Sequence, residues 1–251
     1  MTKQKPAKIK RLFVDIETSP NVALIWESGY DIQVNYDAII RERTIICIGY
    51  KWAGDKNVNI LKWNHNQNDY DMLEAFIPIL DKADEIVAHN GIDFDLKWIR
   101  TRCLKHNISM MPNYTVLDTI KLARSRFKFN SNALDYLSRY LDIGKKIETK
   151  YEMWKKILLE NDQVELKKMI SYCKHDVNLL EEVWNRLNPY VLASTNIAKF
   201  ANHCPECGSS NVGINKRRIT AAGYKKITFR CSDCGKYHTM AESKFMKGKQ
   251  I

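Results

Sequence analysis

The most informative residues of this chain are carboxylates that lie beside apolar segments, where a charge is costly. Asp15 and Glu17 follow the apolar run Leu12-Phe13-Val14. Strand side chains alternate between faces, so residues i and i+2 point to the same side and these two carboxylates are expected to be neighbours. Neighbouring like charges repel unless a cation neutralises them, and a divalent metal is the simplest such cation. The pair therefore predicts a metal site.

Two further acidic motifs lie in segments that are predicted to be helical. In the second motif, Asp93 and Asp95 stand at the start of a helix, where one of them could serve as the N-cap. In the third, Tyr172 lies one helical turn before Asp176, so both side chains are expected on one face. Carboxylates that converge on two divalent ions form a site that hydrolyses phosphodiester bonds. The three motifs together indicate a metal-dependent nuclease.

Cysteine spacing predicts a second metal site near the end of the chain. Two Cys-x-x-Cys pairs, each followed by Gly and separated by 23 residues, contain Cys204, Cys207, Cys231 and Cys234. Cysteines at this spacing can bring two thiolates to one ion, and two such pairs predict one structural Zn²⁺ in a closed tetrahedral site. The pattern resembles a zinc ribbon. The flanking His203 and His238 are expected not to be ligands, because four thiolates already complete the site.

Positive charge is concentrated in the same region. The chain has a net charge of +11, and residues 199–251 contain 11 Lys and Arg against 3 Asp and Glu. Basic and aromatic residues alternate between the two cysteine pairs, in segments that are predicted to form the strands of a hairpin. Such a surface suits phosphate contact and base stacking, although it could equally dock a protein. The candidate substrate contacts here are Lys216, Arg217, Arg218, Lys225 and Lys226.

The elements that must position these residues alternate between strands and helices. Strands are predicted at 11–15, 44–52, 58–63, 85–88 and 115–117, and helices at 69–83, 95–106, 132–141 and 162–187. A further helix opens at Asp118, which is expected to cap it rather than bind metal. This order predicts an α/β fold with a mixed five-stranded sheet flanked by helices, plus a small β-rich zinc ribbon. The predicted domains are 1–189, a linker at 190–202, and the ribbon at 203–251.

The three acidic motifs resemble those of a known family. FVDIET at 13–18, HNGIDFD at 89–95 and YCKHD at 172–176 are similar to the exonuclease motifs of the DEDD superfamily, which has an RNase H-like fold. The Tyr-x-x-x-Asp form resembles the tyrosine subclass, since the histidine subclass has His at the position of Ser171. That subclass includes the proofreading domains of family A and family B DNA polymerases, and the third motif is most similar to family B. The resemblance covers about residues 11–187.

The resemblance implies a 3′→5′ exonuclease that acts on DNA, releases 5′-mononucleotides and uses two Mg²⁺ or Mn²⁺ ions. The family's site residues correspond to Asp15, Glu17, Asp95, Tyr172 and Asp176. The aspartate of the first motif would bridge both ions. The glutamate and the last aspartate would hold the ion on the nucleophile side, the remaining aspartate would hold the other ion, and the tyrosine would orient the attacking water.

Other residues of the motifs are assigned less directly. The family spacing favours Asp95 over Asp93 as the second-motif ligand. Asn90 is expected either to contact substrate or to fix its turn, and Phe94 is a further candidate for substrate contact. His175 is expected to face away from the site.

The composition of the chain indicates which cellular compartment and which binding partners are expected. No apolar run approaches the ~20 residues of a membrane helix, and the basic N-terminus lacks the apolar stretch of a secretory signal. A cytoplasmic protein without membrane contact is therefore expected, with Cys47, Cys103 and Cys173 as reduced, buried thiols. The expected partners are nucleic acid, most readily DNA with a 3′ end, and a replication or repair protein bound through the ribbon. The alternatives are a 3′→5′ exoribonuclease and an inactive nucleic-acid-binding module.

Overall fold

In this computed structural model, residues 8–247 are described, so most of the N-terminal segment and the last four residues of the predicted ribbon lie outside it. The strands are β1 Arg11–Thr18, β2 Val22–Ala23, β3 Ile39–Arg41, β4 Ile45–Trp52, β5 Asn59–Lys62, β6 Glu85–Ala88, β7 Val116–Asp118, β8 Val212–Ile219, β9 Lys225–Cys231 and β10 Tyr237–Ala241. The helices are α1 Tyr70–Leu80, α2 Asp95–Lys105, α3 Thr119–Arg126, α4 Leu134–Tyr140, α5 Tyr151–Glu160, α6 Gln163–Leu187 and α7 Glu242–Lys247.

The main sheet confirms the predicted fold class. Its five strands lie in the order β5-β4-β1-β6-β7. Strand β4 is antiparallel to β1 and β5, whereas β6 is parallel to β1 and β7. Helices cover both faces, because the central strands are apolar on both sides. The sheet is therefore mixed, five-stranded and RNase H-like.

The alternation of side chains along β1 determines what lies on each face. Leu12, Val14 and Ile16 pack in one core with α1 and α2. Phe13 packs in a second core, with residues of α4 and α6. Asp15 and Glu17 share the parity of Phe13, so they belong to the face that α6 covers.

The long helix α6 is fixed by a cap and an apolar stripe. The Asp162 side chain accepts hydrogen bonds from the backbone N–H groups of Val164 and Glu165, which begins the helix. Ten of its residues are buried at helical spacing, and Asp176 is one of them. A carboxylate inside an apolar stripe is costly unless something compensates it.

Several elements differ from those predicted. Helix α5 was not expected, and neither were β10 and α7 beside the predicted hairpin of the ribbon. The segment 21–43, for which no strand or helix was predicted, contains the short β2–β3 hairpin, and between its strands Trp26 and Tyr30 are fully exposed. The predicted linker contacts both neighbours, because Thr195 N donates to Glu85 Oε1 and Ile197 N donates to the Pro205 carbonyl.

The C-terminal strands form a separate sheet in the order β10-β9-β8, with α7 packed on it. The three isolated thiols, Cys47, Cys103 and Cys173, are free and buried, as expected. Between residues 8 and 247, no helix combines the length and apolar character needed to cross a bilayer.

Candidate active site

Three of the predicted carboxylates converge. One oxygen from each of Asp15, Glu17 and Asp176 lies within 4.8 Å of the others. Asp15 pairs across the sheet with Gly49 of β4, and a Cβ at this glycine would lie only 2.8 Å from Cys173 Sγ of α6. The missing side chain therefore lets α6 lie close to the sheet, which brings its carboxylate to the pair on β1.

Asp95 lies beside this cluster, at the first turn of α2. Its side chain is buried, and Oδ1 accepts a hydrogen bond of 3.1 Å from the backbone N–H of Ile16. This bond ties the start of α2 to β1 between Asp15 and Glu17. Asp95 is not one of the three carboxylates within 4.8 Å of one another, but it is the nearby charge that most raises the pKa of Asp15.

The loop before α2 is fixed by Asp118. This residue caps α3 as expected, since it accepts from the N–H groups of Ile120 and Lys121. It also accepts from the N–H groups of Asn90 and Ile92, at 3.1 and 3.2 Å. Asn90 has a φ of 67°, which supports its role in the turn. Asp118 therefore fixes the turn that precedes the second-motif carboxylates.

Asp93 and Phe94, the two other candidate residues of the second motif, have different surroundings. The exposed Asp93 forms ion pairs with Lys97 and Lys121 and makes no capping bond to α2. Phe94 occupies the N-cap position and packs partly against the core. In the third motif, His175 Nε2 lies 2.7 Å from the Lys145 carbonyl oxygen.

Lys146 is a site residue that sequence reasoning missed. Its Nζ lies 2.6 Å from Asp176 Oδ2 and donates to the Tyr172 hydroxyl at 3.2 Å. Its backbone N–H donates to Asp135 Oδ1, which fixes the irregular segment between α4 and α5. This segment contains several lysines, and no spacing distinguishes one of them. Only the long-range packing of the segment reveals the ion pair.

Burial and the repulsion between neighbouring carboxylates shift the pKa values of the residues in this cluster. Burial, followed by the neighbouring carboxylates, raises the pKa values of Asp15 and Glu17 well above their usual range. Burial also raises the pKa of Asp95 to about 7 and that of Asp176 above its ordinary value. Burial opposes the charge of Lys146, but the adjacent Asp176 outweighs it and raises the lysine pKa. The lysine therefore stays charged.

The donor set fits divalent cations. Within the described residues, Asp15 Oδ2 and Asp176 Oδ1 are buried and accept no hydrogen bond. Buried carboxylate oxygens without donors are rare, because the desolvation cost is uncompensated. Hard cations such as Mg²⁺ and Mn²⁺ prefer such oxygens. These atoms could therefore hold the metal that the sequence predicts.

The four cysteines of the ribbon also meet at one point. Their sulfur atoms all lie within 4.8 Å of one another, and the Cys204–Cys234 and Cys207–Cys231 pairs are both 3.6 Å apart. A tetrahedral zinc with bonds of about 2.3 Å places its sulfurs about 3.8 Å apart, whereas a disulfide needs about 2.05 Å. The geometry fits one zinc ion.

The residues around the ribbon cysteines complete this picture. Gly208 and Gly235, each next to a cysteine pair, have φ values of 72° and 75°, which favour glycine. His203 packs edge-on against Phe200, and His238 stacks on Phe229. Neither histidine belongs to the sulfur cluster.

The fold and the acidic cluster together define a class of protein. The RNase_H superfamily profile matches residues 39–188, more than half of the chain, and the chain belongs to this superfamily. The match begins after β1, so it does not include Asp15 and Glu17.

Individual relatives are more distant. The "DNA polymerase III PolC-type" of Ureaplasma parvum serovar 3 is 22% identical over 186 residues, which cover 67% of this chain and 13% of that protein. The chain thus spans only a small part of this curated relative. The family B DNA polymerase of the hyperthermophilic archaeon Pyrobaculum calidifontis matches with a TM-score of 0.55 and 15% identity, over 73% of this chain and 25% of that one. This second similarity shows the fold alone.

Proposed function

We propose that this protein is a metal-dependent 3′→5′ exonuclease of the tyrosine type that hydrolyses DNA and releases 5′-mononucleotides. The observation that carries the proposal is the convergence of Asp15, Glu17 and Asp176, with buried carboxylate oxygens that lack donors. The similarity to a protein named as a DNA polymerase supports DNA as the substrate. RNase H-like exonucleases use divalent metals, in agreement with this donor set.

In this proposal, Asp15, Glu17, Asp95 and Asp176 hold two Mg²⁺ or Mn²⁺ ions. The bound ions would supply Lewis-acid activation and neutralise the charge that develops on the scissile phosphate. The Tyr172 hydroxyl keeps its proton at neutral pH, because burial raises its pKa. It therefore orients the attacking water by a hydrogen bond and does not remove its proton. Lys146 holds both Tyr172 and Asp176 in place.

The proposal extends to the organisation of the chain. It divides the protein into a nuclease domain at 1–189, a linker at 190–202 and a zinc ribbon at 203–251 that holds one structural Zn²⁺ and aids nucleic-acid binding. A replication or repair protein is the proposed protein partner of the ribbon. The use of four cysteines as reduced thiolates favours the cytoplasm.

The test is cleavage of end-labelled single-stranded DNA by the purified full-length protein. With Mg²⁺ or Mn²⁺ the products should be mononucleotides released from the 3′ end, and EDTA should stop the reaction. Asp15→Asn should abolish cleavage, since it changes the central carboxylate while it keeps the side-chain shape. Asp93→Asn is the matched control, because this exposed carboxylate of the second motif pairs only with surface lysines.

The alternatives are decided by the same assay. If labelled RNA is degraded faster than DNA of the same sequence, the protein is an exoribonuclease. If neither substrate is cut with either metal but both are bound, the protein is an inactive binding module. Full activity of Asp15→Asn would contradict the assignment of the site.

A further inference from the structure

The sheet of the zinc ribbon has two faces, and the register of its strands assigns each basic residue to one of them. Residues that pair directly across antiparallel strands share a face. Lys216 pairs with Thr228, and Arg218 pairs with Lys226. Arg217 pairs instead with Ile227, which lies on the opposite face. The five basic residues predicted from the sequence therefore do not form a single surface.

One face is the core of the ribbon. Ile227 and Phe229 are buried there, together with Phe245 of α7. Arg217 belongs to this side and lies 3.4 Å from Glu242, the first residue of α7. Lys225, two residues before Ile227, has the same parity. Helix α7 thus covers this face, and one of its two cations already has an acidic partner.

The other face is open and strongly cationic. It carries Lys216, Arg218, Lys226 and Arg230, which are exposed or half-exposed. Thr228 and Thr239 lie between these cations with their hydroxyls 3.2 Å apart. The exposed ring of Tyr237 lies 5.7 Å below the Arg230 guanidinium. We call this set of residues the open face.

No acidic residue of the described ribbon neutralises the open face. Glu206 is buried, where it pairs with Arg11 and Lys236. Asp233 accepts from Ser209 and Asn211, and Glu242 pairs with Arg217. The ribbon contains only these three acids between residues 203 and 247. Four cations with hydroxyls, an aromatic ring and no counter-charge suit a flexible polyanion with stackable bases.

The ribbon is docked away from the carboxylate cluster. Arg11, at the start of β1, donates to Glu206, which lies between the first two cysteines of the ribbon. Asp15 lies four residues further along β1, a distance of about 13 Å. Lys236 donates to the carbonyl of Asn188, which follows the end of α6, and Asp176 lies about 18 Å back along that helix. A segment of nucleic acid bound to the ribbon would therefore lie far from the carboxylate cluster, where the end of the nucleic acid would react.

We propose that the open face binds the backbone of single-stranded nucleic acid several nucleotides upstream of the 3′ end. This inference rests on the proposed function in taking nucleic acid as the ligand and in placing its 3′ end at the carboxylate cluster. Lys216, Arg218, Lys226 and Arg230 contact phosphates, and Tyr237 stacks on a base. Arg217 and Lys225 do not take part. The site therefore increases affinity for long strands but not for strands too short to reach the ribbon.

Two charge-matched double variants of the full-length protein test this assignment. K216A/R218A removes two positive charges from the open face, and R217A/K225A removes two from the opposite face of the same hairpin. Binding of fluorescent single-stranded DNA is measured by anisotropy in EDTA, so that cleavage does not interfere. Zinc content and circular dichroism establish that both variants retain the ribbon. A long strand of about 30 nucleotides is used, since one binding module covers about 4–16 nucleotides.

The open-face variant should bind the long strand about tenfold more weakly at ~0.1 M salt, and the slope of log affinity against log salt should fall by about 1.4. The control variant should change the affinity less than about twofold. An equal loss in both variants would overturn the proposal in favour of diffuse charge attraction. Unchanged affinity in both would also overturn it and leave the face to a protein partner. Because cleavage is not measured, neither outcome depends on whether the nuclease proposal holds.

Discussion

Tyr172 combines a raised pKa with a hydrogen bond from Lys146, so its hydroxyl is a fixed donor near the carboxylate cluster. Tyr172→Phe keeps the ring and removes this donor. We expect the single-turnover rate on saturating DNA to fall about 10- to 1000-fold, because one positioning hydrogen bond is lost. Tyr151→Phe, on an exposed residue, is the control. An unchanged rate for the Tyr172 variant would assign the residue a structural role only.

Lys146 forms the ion pair that the described residues give Asp176, and its removal leaves that buried carboxylate without this counter-charge. Lys146→Met should therefore lower the melting temperature in EDTA, since an unpaired buried charge is destabilising. Added Mg²⁺ should raise the melting temperature of the variant more than that of the wild type. Lys145→Met, on the exposed neighbour, should behave as wild type in both conditions. Equal behaviour of the two variants would show that the ion pair is unimportant.

The raised pKa of Asp95 predicts a pH dependence of stability. The folded protein keeps this proton up to a pKa of about 7, whereas the unfolded chain releases it near 3.8. Between these values the folded state binds more protons, so the free energy of unfolding falls as the pH rises from about 4 to about 7. The loss from this one carboxyl is at most on the order of 4 kcal/mol.

The measurement is thermal unfolding in EDTA across this pH range, with Asp95→Asn for comparison. The variant keeps an oxygen that can accept from Ile16 N but has no proton to lose. Its melting temperature should therefore rise relative to wild type between about pH 4 and about pH 7. Asp95→Asn also removes the charge that most raises the pKa of Asp15, so the difference reports Asp95 together with its effect on Asp15. Parallel curves for the two proteins would contradict the assignment of this shift.

At the scale of residues, the sequence predicted those groups of side chains whose members lie within a few positions of one another. Asp15 with Glu17, Tyr172 with Asp176, and the cysteine pairs are each fixed by the geometry of one strand, helix or turn. Lys146 could not be found in this way, because its partner is 30 residues away and its own segment has no regular structure. Asp118 was expected as a cap of α3. Its hydrogen bonds to the loop of Asn90 could not be predicted, because that loop follows a different strand of the sheet.

At the scale of elements, the close contact of α6 with β4 depends on Gly49. Gly49→Ala would place a Cβ 2.8 Å from Cys173 Sγ and 3.0 Å from Val177 Cγ2. We expect a loss of about 1–3 kcal/mol in unfolding free energy from this overpacking. The shift of α6 should also move Asp176 and reduce the cleavage rate.

The control for this change is Gly213→Ala in β8, where an added Cβ meets no atom within 4 Å. It should leave both the melting temperature and the cleavage rate near those of the wild type. If Gly49→Ala also retains the wild-type melting temperature and cleavage rate, the close packing of α6 on β4 at this glycine does not position Asp176.

The main elements were predicted because their apolar periodicity is strong. Strand β6, helix α2 and helix α6 were expected close to their observed bounds. Helix α5 was missed because its buried residues, Met153, Ile157 and Leu158, stand among lysines that hide the pattern. Strand β10 was missed because none of its side chains is buried and the strand is held by its pairing with β9. Such elements are stabilised by tertiary contacts more than by their own sequence.

At the scale of the whole molecule, a buried polar network joins the ribbon to the main sheet. Arg11 pairs with both Glu85 and Glu206, and Lys236 donates to Asn188. Glu206 lies between Cys204 and Cys207, so the proposed zinc site fixes one end of the network. The orientation of the ribbon should therefore depend on its metal.

Cys231→Ser should release the zinc and unfold the ribbon locally, because metal binding in such modules supplies folding free energy. Once Glu206 is no longer held against Arg11, limited proteolysis should cut within residues 190–202. The fragment before this segment should stay folded, since its cores contain no ribbon residue. Ser232→Ala, on the exposed neighbour, is the control. Proteolysis that spreads into the main sheet would show that the two parts fold as one unit.

Lys146 has a consequence for how the protein matures. A chain that carries its own counter-ion for Asp176 can finish folding its nuclease domain before any metal arrives. Under the proposed function, loading of that site is an exchange of a lysine for an ion on a finished protein, and it can follow changes in cellular magnesium or manganese. With the proposed zinc, the ribbon would follow the opposite order, since in such modules metal binding supplies the folding free energy. A newly made chain would therefore depend on zinc supply for its assembly and on the other metals only for its turnover.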